Sequence, residues 1–112
     1  MLKSVTDFLN QISAGQRSFQ GIILREAELR RADLNGIDLR GADLSAANLR
    51  VTNLCRARLS QSILVGADLS RSFLQYAELV GADLRGAKLF AADRRSRFSL
   101  TTGFFHFLAV NR

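Results

Sequence analysis

The chain of 112 residues contains no proline and no tryptophan, and it has one cysteine and one histidine. Cys55 alone cannot form an intrachain disulfide, which is consistent with a reducing compartment. His106 lies near the end of an aromatic tail, where no Ser-His-Asp or Cys-His pairing can be argued for it. Long apolar runs are also missing, because polar residues interrupt the N-terminal one at Asp7, Asn10 and Gln11. We therefore expect no signal peptide, no membrane span and a cytoplasmic location.

Acidic residues are also fewer than basic ones. The chain has 16 basic residues against 10 acidic ones, a net charge of +6. A basic surplus can attract nucleic acid, anionic lipid or an acidic protein, and it can also do no more than keep a protein in solution. The positions of the charges have to decide between these alternatives.

What the chain does have is a strict five-residue repeat. A leucine stands at every fifth position from Leu24 to Leu89, in a series that begins with Phe19. Two residues earlier, the series from Ile22 to Ala87 is small or apolar, and the residue between is mostly polar. A step of five residues turns a helix by about 140° and so scatters the leucines around it, while a straight strand would send them to alternate faces. The chain must therefore turn after each unit, so that stacked coils bury one column of leucines.

The repeat resembles the A(D/N)LXX consensus of the pentapeptide-repeat family. The matching triplets are Ala32-Asp33-Leu34, Ala42-Asp43-Leu44, Ala47-Asn48-Leu49, Ala67-Asp68-Leu69 and Ala82-Asp83-Leu84. The resemblance covers residues 17–91, and the segment 14–19 resembles the start of many cyanobacterial members. It implies an all-β solenoid, namely a right-handed quadrilateral β-helix of about four coils with four pentapeptides in each coil.

Both ends of such a helix need covering, and we expect three segments within a single domain. Residues 1–16 are predicted to form an N-terminal capping helix, residues 17–93 the β-helix, and residues 94–112 a basic and aromatic segment. The helix is predicted from an N-cap at Ser4, a stop at Gly15 and, between them, an apolar stripe at helical spacing. The alternative for this helix is a membrane-surface or partner-binding role.

A self-association surface is predicted at the C-terminal end. Outward positions of the later coils carry apolar side chains, which are Phe73, Tyr76, Val80 and Phe90. Large exposed apolar clusters usually mark an interface. The aromatic tail either folds back over its own last coil or packs against a second copy, and the resemblance implies dimers formed through C-terminal segments. We expect the outward residues to dock Phe104, Phe105 and Phe107.

A basic patch is predicted on one side of the shaft. Stacking in steps of twenty residues brings four arginines together, which are Arg30, Arg31, Arg50 and Arg71. The sharper interpretation is a binding site, and the alternative is a solvated surface that pairs locally with the acidic columns. We expect no aromatic side chain to interleave with this patch.

Neither the aspartates nor the glycines require a catalytic explanation. A polar residue before the leucine can bond to the backbone of the turn, and glycine allows the corner geometry. We therefore expect a protein that is not an enzyme and that has no cofactor and no metal site.

The predicted function is a non-catalytic protein–protein interaction or scaffold module, with another protein as partner and a homodimer formed through the C-terminal segment. The alternative is a nucleic-acid-associated or topoisomerase-modulating protein. The resemblance raises this alternative, because some pentapeptide-repeat proteins resemble DNA in shape and charge and act on DNA gyrase. Such mimicry needs a long acidic rod, which the net charge of +6 disfavours. Direct binding of nucleic acid is less favoured than a protein partner.

Overall fold

The computed structural model describes residues 4–93, which form one short helix followed by a stack of coils. Parallel β-bridges join residues twenty positions apart, from Ser18↔Asp38 at the first coil to Phe73↔Asp93 at the last. Each contact is a single bridge rather than an extended strand. Twenty residues per coil equal four pentapeptides, so the predicted four-sided coil is confirmed.

The same hydrogen bonds recur in each repeat and hold the coils together. The Leu44 N–H donates to the Ile63 carbonyl of the next coil at 2.7 Å, and the Asp43 N–H donates to the Ile22 carbonyl of the previous one at 2.9 Å. At the corner, the Ala47 N–H donates back to the Leu44 carbonyl at 3.1 Å and closes a turn. Backbone groups are thus paired along the stack, as buried amides require.

The third residue of each turn lies in the left-handed region, and this is the only positive φ in the turn, as a type II turn requires. Glycine adopts this conformation without a steric cost. It does so where the sequence predicted glycine corners, which are Gly21, Gly36, Gly41, Gly66, Gly81 and Gly86. Other corners use side-chain-bearing residues, among them Val51 at φ 58°.

The interior is a column of leucines. Those of the central coils are 0% exposed, which are Leu34, Leu39, Leu44, Leu49, Leu54, Leu59 and Leu64. In the narrower column beside them, three hydroxyl residues replace alanine. The Thr52, Ser62 and Ser72 hydroxyls donate to carbonyls three residues earlier at 2.7, 2.6 and 2.7 Å. No buried hydroxyl in this column therefore lacks a partner within residues 4–93.

Helix α1 (Val5–Ser13) lies against the first coil. Ser4 is its N-cap, and the Ser4 hydroxyl accepts a hydrogen bond from the Asp7 N–H at 3.2 Å. Phe8, which is fully buried, packs edge-to-face on Phe19, with ring centroids 4.8 Å apart. The helix thus covers the start of the leucine column.

The helix ends in a Schellman motif. Gly15 has φ 97°, its N–H donates to the Ile12 carbonyl at 2.9 Å, and the Gln16 N–H donates to the Gln11 carbonyl at 3.0 Å. Gly15 is therefore the residue that turns the chain from the helix into the first repeat.

The C-terminal segment 94–112, with Phe104, Phe105 and Phe107, lies outside the described residues. In residues 4–93, no helix has the length and apolarity that a bilayer crossing requires. The same part of the chain has no group of three or more His, Cys, Asp or Glu side chains that could hold a metal ion.

Candidate functional site

The basic patch lies on the side of the shaft whose inward residues are Leu29, Leu49, Leu69 and Leu89, which we call the Leu29 face. The column before these leucines holds Glu28, Asn48, Asp68 and Lys88, and the column after them holds Arg30, Arg50, Ser70 and Phe90. The corner column holds Arg31, Val51, Arg71 and Ala91. Hydrogen bonds from the Arg31, Val51 and Arg71 N–H groups to the Arg50, Ser70 and Phe90 carbonyls fix this stacking, at 3.0, 3.1 and 2.8 Å.

On the other sides of the shaft, four of the described arginines form ion pairs, while Arg17 donates to the Asp33 carbonyl and Arg56 lies over the Tyr76 ring. Arg40 and Arg85 each hold the aspartate two residues earlier, with nitrogen–oxygen distances of 2.7 Å to Asp38 and to Asp83. Arg25 holds Asp43 across the coils, and Arg58 lies between Asp38 and Glu78. These arginines are neutralised locally and offer little to an outside anion.

On the Leu29 face, by contrast, the basic side chains make no ion pair with any described residue of the chain. This group comprises Arg30, Arg31, Arg50, Arg71 and, in addition, Lys88. Of the local pairing with acidic columns that the sequence left open, the structure shows the attraction of Arg50 and Lys88 to Asp68, without an ion pair. Lys88 was not among the predicted site residues, although a step of twenty residues from Asp68 leads to it.

Asn48 is the reason for this difference. The Asn48 side-chain amide donates to both oxygens of the Glu28 carboxylate, at 2.8 and 3.0 Å, and Glu28 stands two residues before Arg30. Asn48 also stands two residues before Arg50, where Asp38 stands before Arg40. Its amide oxygen accepts the Arg50 N–H at 3.1 Å but carries no charge. Arg50 thus has no carboxylate two residues before it, and the acid whose pKa its charge lowers is Asp68 of the next coil.

Arg50 and Asp68 show the electrostatics of the face most directly. The Arg50 Nε is buried without a hydrogen-bond partner among the described residues, an arrangement that folded proteins usually avoid. Burial raises the pKa of Asp68, but hydrogen bonds from Ser70 and the charges of Arg50 and Lys88 outweigh it and leave that pKa below its ordinary value. The face as a whole carries more positive than negative charge.

Backbone strain is concentrated at the corner of this face. Between residues 21 and 91 it is the one corner column without a glycine, and its φ values are 67° at Arg31, 58° at Val51, 61° at Arg71 and 57° at Ala91. A side chain in this conformation costs about 1–2 kcal/mol relative to the right-handed region. Strained backbone is often found at functional sites.

An exposed aromatic side chain continues the arginine column. Phe90 follows Arg30, Arg50 and Ser70 in the stack, and it is 70% exposed. Phe90 therefore stands at the end of this column, beyond Ser70, and not between its arginines. The sequence pattern assigned Phe90 to the self-association surface, and a step of twenty residues from Ser70 also places it in this column.

The other outward apolar residues lie around the last coil rather than in one cluster. Phe73 is 44% exposed, Tyr76 52% and Val80 46%, and with Phe90 we call them the apolar collar. The Arg56 guanidinium lies 5.6 Å from the Tyr76 ring centroid. Their predicted partners in the aromatic tail lie outside the described residues.

At the other end of the shaft, sequence reasoning assigned no site, yet the structure has a cavity of about 640 Å³ between α1 and the first coil. Val5, Phe19 and Ile23 contribute to its wall, and Ile23 is 72% exposed. The cavity lies where α1, which is outside the repeat frame, meets residues 16–25, so the five-residue spacing does not indicate it.

The family model for pentapeptide repeats matches the chain in 8 copies, over residues 22–61 and 52–89. The chain belongs to the pentapeptide-repeat family. Members of this family fold as right-handed quadrilateral β-helices, which confirms the predicted fold class. They are repeat modules and generally not enzymes.

Solved structures of other pentapeptide-repeat proteins resemble this one. The protein alr5209 from Nostoc PCC 7120 is 36% identical, with a TM-score of 0.52 over 92% of this chain and 91% of that one. QnrB1, a plasmid-mediated fluoroquinolone resistance protein, is 19% identical, with a TM-score of 0.67 over 73% of this chain and 44% of that one, and shows the fold alone. HetL, from the cyanobacterium Nostoc sp. strain PCC 7120, is 38% identical with a TM-score of 0.39, over 81% of this chain and 45% of that one. No curated protein matches the chain.

Proposed function

We propose that this pentapeptide-repeat protein is a non-catalytic protein–protein interaction or scaffold module of the cytoplasm that forms a homodimer through its C-terminal end. The observation that carries this proposal is the apolar collar. Its four side chains are 44–70% exposed and belong to the last described coil.

Comparison with the preceding coil shows that the collar is not a consequence of the repeat. The residues twenty positions before Phe73, Tyr76, Val80 and Phe90 are Asn53, Arg56, Ser60 and Ser70. Each position is therefore polar in one coil and apolar in the next. Because such a change exposes apolar area without improving the core, it supports an interface at this end of the shaft.

A second copy of the chain is the partner that fits this end best. The chain continues from Asp93, beside the collar, into the segment that contains Phe104, Phe105 and Phe107. Two copies that meet at these ends bury both apolar groups at once and form a closed, two-fold interface. A shaft joined in this way keeps its flat sides available for other proteins, with little change of shape on binding.

The test is the molar mass in solution, measured by light scattering. Three chains are compared: the full chain, a chain truncated after Ser96, and the variant Phe73→Asn/Val80→Ser, which copies the residues of the preceding coil. We expect a dimer for the full chain and monomers for the other two. The control Ile23→Ser/Ile63→Ser removes exposed apolar side chains from another side and should stay dimeric. A truncated chain of unchanged mass and stability would contradict the proposal.

The alternative of topoisomerase modulation by DNA mimicry receives no support from the charge pattern. Ion pairs neutralise much of the acidic surface, and the unpaired charge on the Leu29 face is basic. The likeness to QnrB1 extends to the fold and not to a shared partner. Direct binding of an anionic partner is a separate question.

A further inference from the structure

The Leu29 face combines three features, of which the proposed dimer uses only one, the ring of Phe90. Its arginines make no ion pair among residues 4–93, its corner column is strained, and an exposed aromatic ring continues its central arginine column. We propose that this face binds single-stranded nucleic acid, with phosphates on the arginines and Lys88 and with a base stacked on Phe90. Because Phe90 also belongs to the apolar collar, a base and a second copy of the chain compete for its ring, whereas the arginines and Lys88 lie outside the collar.

The absence of ion pairs makes this face different from a merely basic surface. An arginine such as Arg85 already donates to both oxygens of Asp83, and a phosphate would have to compete with that carboxylate. Arg31 and Arg71 have no such partner within the described chain. A planar guanidinium matches a phosphate through two parallel hydrogen bonds, so the free arginines are the ones that can bind phosphate without first breaking a bond.

The shape of the patch favours a linear ligand over a folded protein. Coils rise by about 4.8 Å each, so the column from Arg30 to Phe90 is about 14 Å long. One side of a coil is only about 10 Å wide, at about 3.3 Å for each extended residue. A stable protein–protein interface buries roughly 800 Å² on each partner, several times the area of this strip. A single nucleic acid strand that runs along the shaft needs no more contact area than this strip provides.

The ring of Phe90 favours a nucleic acid strand over an acidic peptide as the ligand of this face. Proteins that bind single strands combine a basic track with aromatic side chains on which bases stack. Phe90 supplies such a ring at the end of the Arg30–Arg50 column, and Arg71 is joined to it through the backbone hydrogen bond to the Phe90 carbonyl. A peptide of aspartates and glutamates has no flat group to place there, and the bases of a duplex are already stacked on one another.

The experiment measures binding of a fluorescent twelve-residue oligothymidylate to the full chain by anisotropy at two salt concentrations. With about five phosphate contacts, the affinity should fall about 100-fold between 50 and 200 mM salt, because single strands release about 0.7 counterions per contact. In Arg31→Gln/Arg71→Gln, three contacts remain and the fall should be only about 20-fold. Glutamine is tolerated at such a corner, as Gln61 shows at φ 63°.

Two matched controls separate the face from the overall charge. Arg25→Gln/Arg85→Gln removes the same charge from ion-paired positions and should leave both affinity and salt dependence close to those of the parent. Arg31→Lys/Arg71→Lys keeps the charge and should retain most of the salt dependence. Thermal melting followed by circular dichroism verifies that each variant is folded. If both glutamine doubles weaken binding equally, the attraction comes from net charge and the proposal is overturned.

A second pair of variants tests the stacking. Phe90→Ala should weaken binding about tenfold, within the range measured for base–aromatic stacking, whereas Phe73→Ala, on the neighbouring side, should not. Polyglutamate and a duplex of equal length serve as competitors. The proposal fails if Phe90→Ala binds like the parent, or if polyglutamate or the duplex competes as well as the single strand does. Effective competition by polyglutamate would point to an acidic protein as the ligand.

Discussion

Two sides of the shaft use the same repeat in opposite ways. On the side lined inwardly by Leu24, Leu44, Leu64 and Leu84, which we call the Leu24 face, Arg25 and Arg85 are ion-paired and glycine occupies the later corners. On the Leu29 face the arginines are unpaired and no corner has a glycine. The backbone bonds of the two faces are the same. The repeat therefore determines the interior, and single outward residues determine the charge that each face presents.

The largest expected effect should be equal on the two faces. Leu44 and Leu49, one on each face, are both 0% exposed. Truncation of either to alanine leaves a cavity and should lower the free energy of unfolding by about 3 kcal/mol. Urea denaturation followed by circular dichroism measures both. A difference greater than about 1 kcal/mol would mean that the faces also differ in core packing.

The corners should distinguish the faces more sharply. At Gly66 of the Leu24 face, φ is 69° and no atom lies within 4 Å of the place where a Cβ would be, so the Cβ that Gly66→Val adds brings backbone strain without a steric contact. We expect a loss of about 1–2 kcal/mol. Val51→Gly is the reverse change on the Leu29 face. It should gain less than about 1 kcal/mol, because glycine gives the unfolded chain more freedom.

Urea titrations of Gly66→Val and Val51→Gly measure both changes in the free energy of unfolding. If Val51→Gly destabilises the protein, the contacts of the half-buried Val51 side chain outweigh the strain at its φ of 58°. In that case the glycine-free corner is a packing feature. It would then give no support to a functional interpretation of the Leu29 face.

Whether a feature of the fold or of the site can be predicted from the sequence depends on how far apart along the chain its residues lie. The leucine column and the glycine corners follow from the five-residue period, because each depends on one unit. The number of sides does not follow from the period and came from the family resemblance. Arg50 lacks the ion pair that Arg40 makes because the neutral Asn48 stands two residues before it, whereas the bond of Asn48 to Glu28 joins residues twenty positions apart in neighbouring coils. Lys88 was overlooked, and Phe90 was assigned only to the self-association surface, although the same step of twenty places both on the Leu29 face.

The pH dependence of stability should be greater on the Leu24 face. Hydrogen bonds from Ser45 and Arg25 lower the pKa of Asp43 to about 2. Since the unfolded value is about 4, this contribution is complete above about pH 4 and is lost as the pH falls toward 2. The urea midpoint of the parent should therefore fall over this range, and Asp43→Asn should fall less. Asp68→Asn, on the Leu29 face, should change the slope less than Asp43→Asn does. An equal effect of the two would contradict the comparison.

The smallest effect concerns the arginines themselves. Arg85→Gln removes an exposed ion pair and should lower the free energy of unfolding by no more than about 0.5 kcal/mol, because water and salt screen such pairs. Arg71→Gln removes no pair and reduces repulsion between like charges, so its change should be near zero or slightly stabilising. High salt should remove the difference between the two variants. If Arg71→Gln instead destabilised the protein as much as Arg85→Gln, the guanidinium of Arg71 would have a structural partner in solution. Its charge would then not be free for a phosphate, and the binding role of the Leu29 face would lose its physical basis.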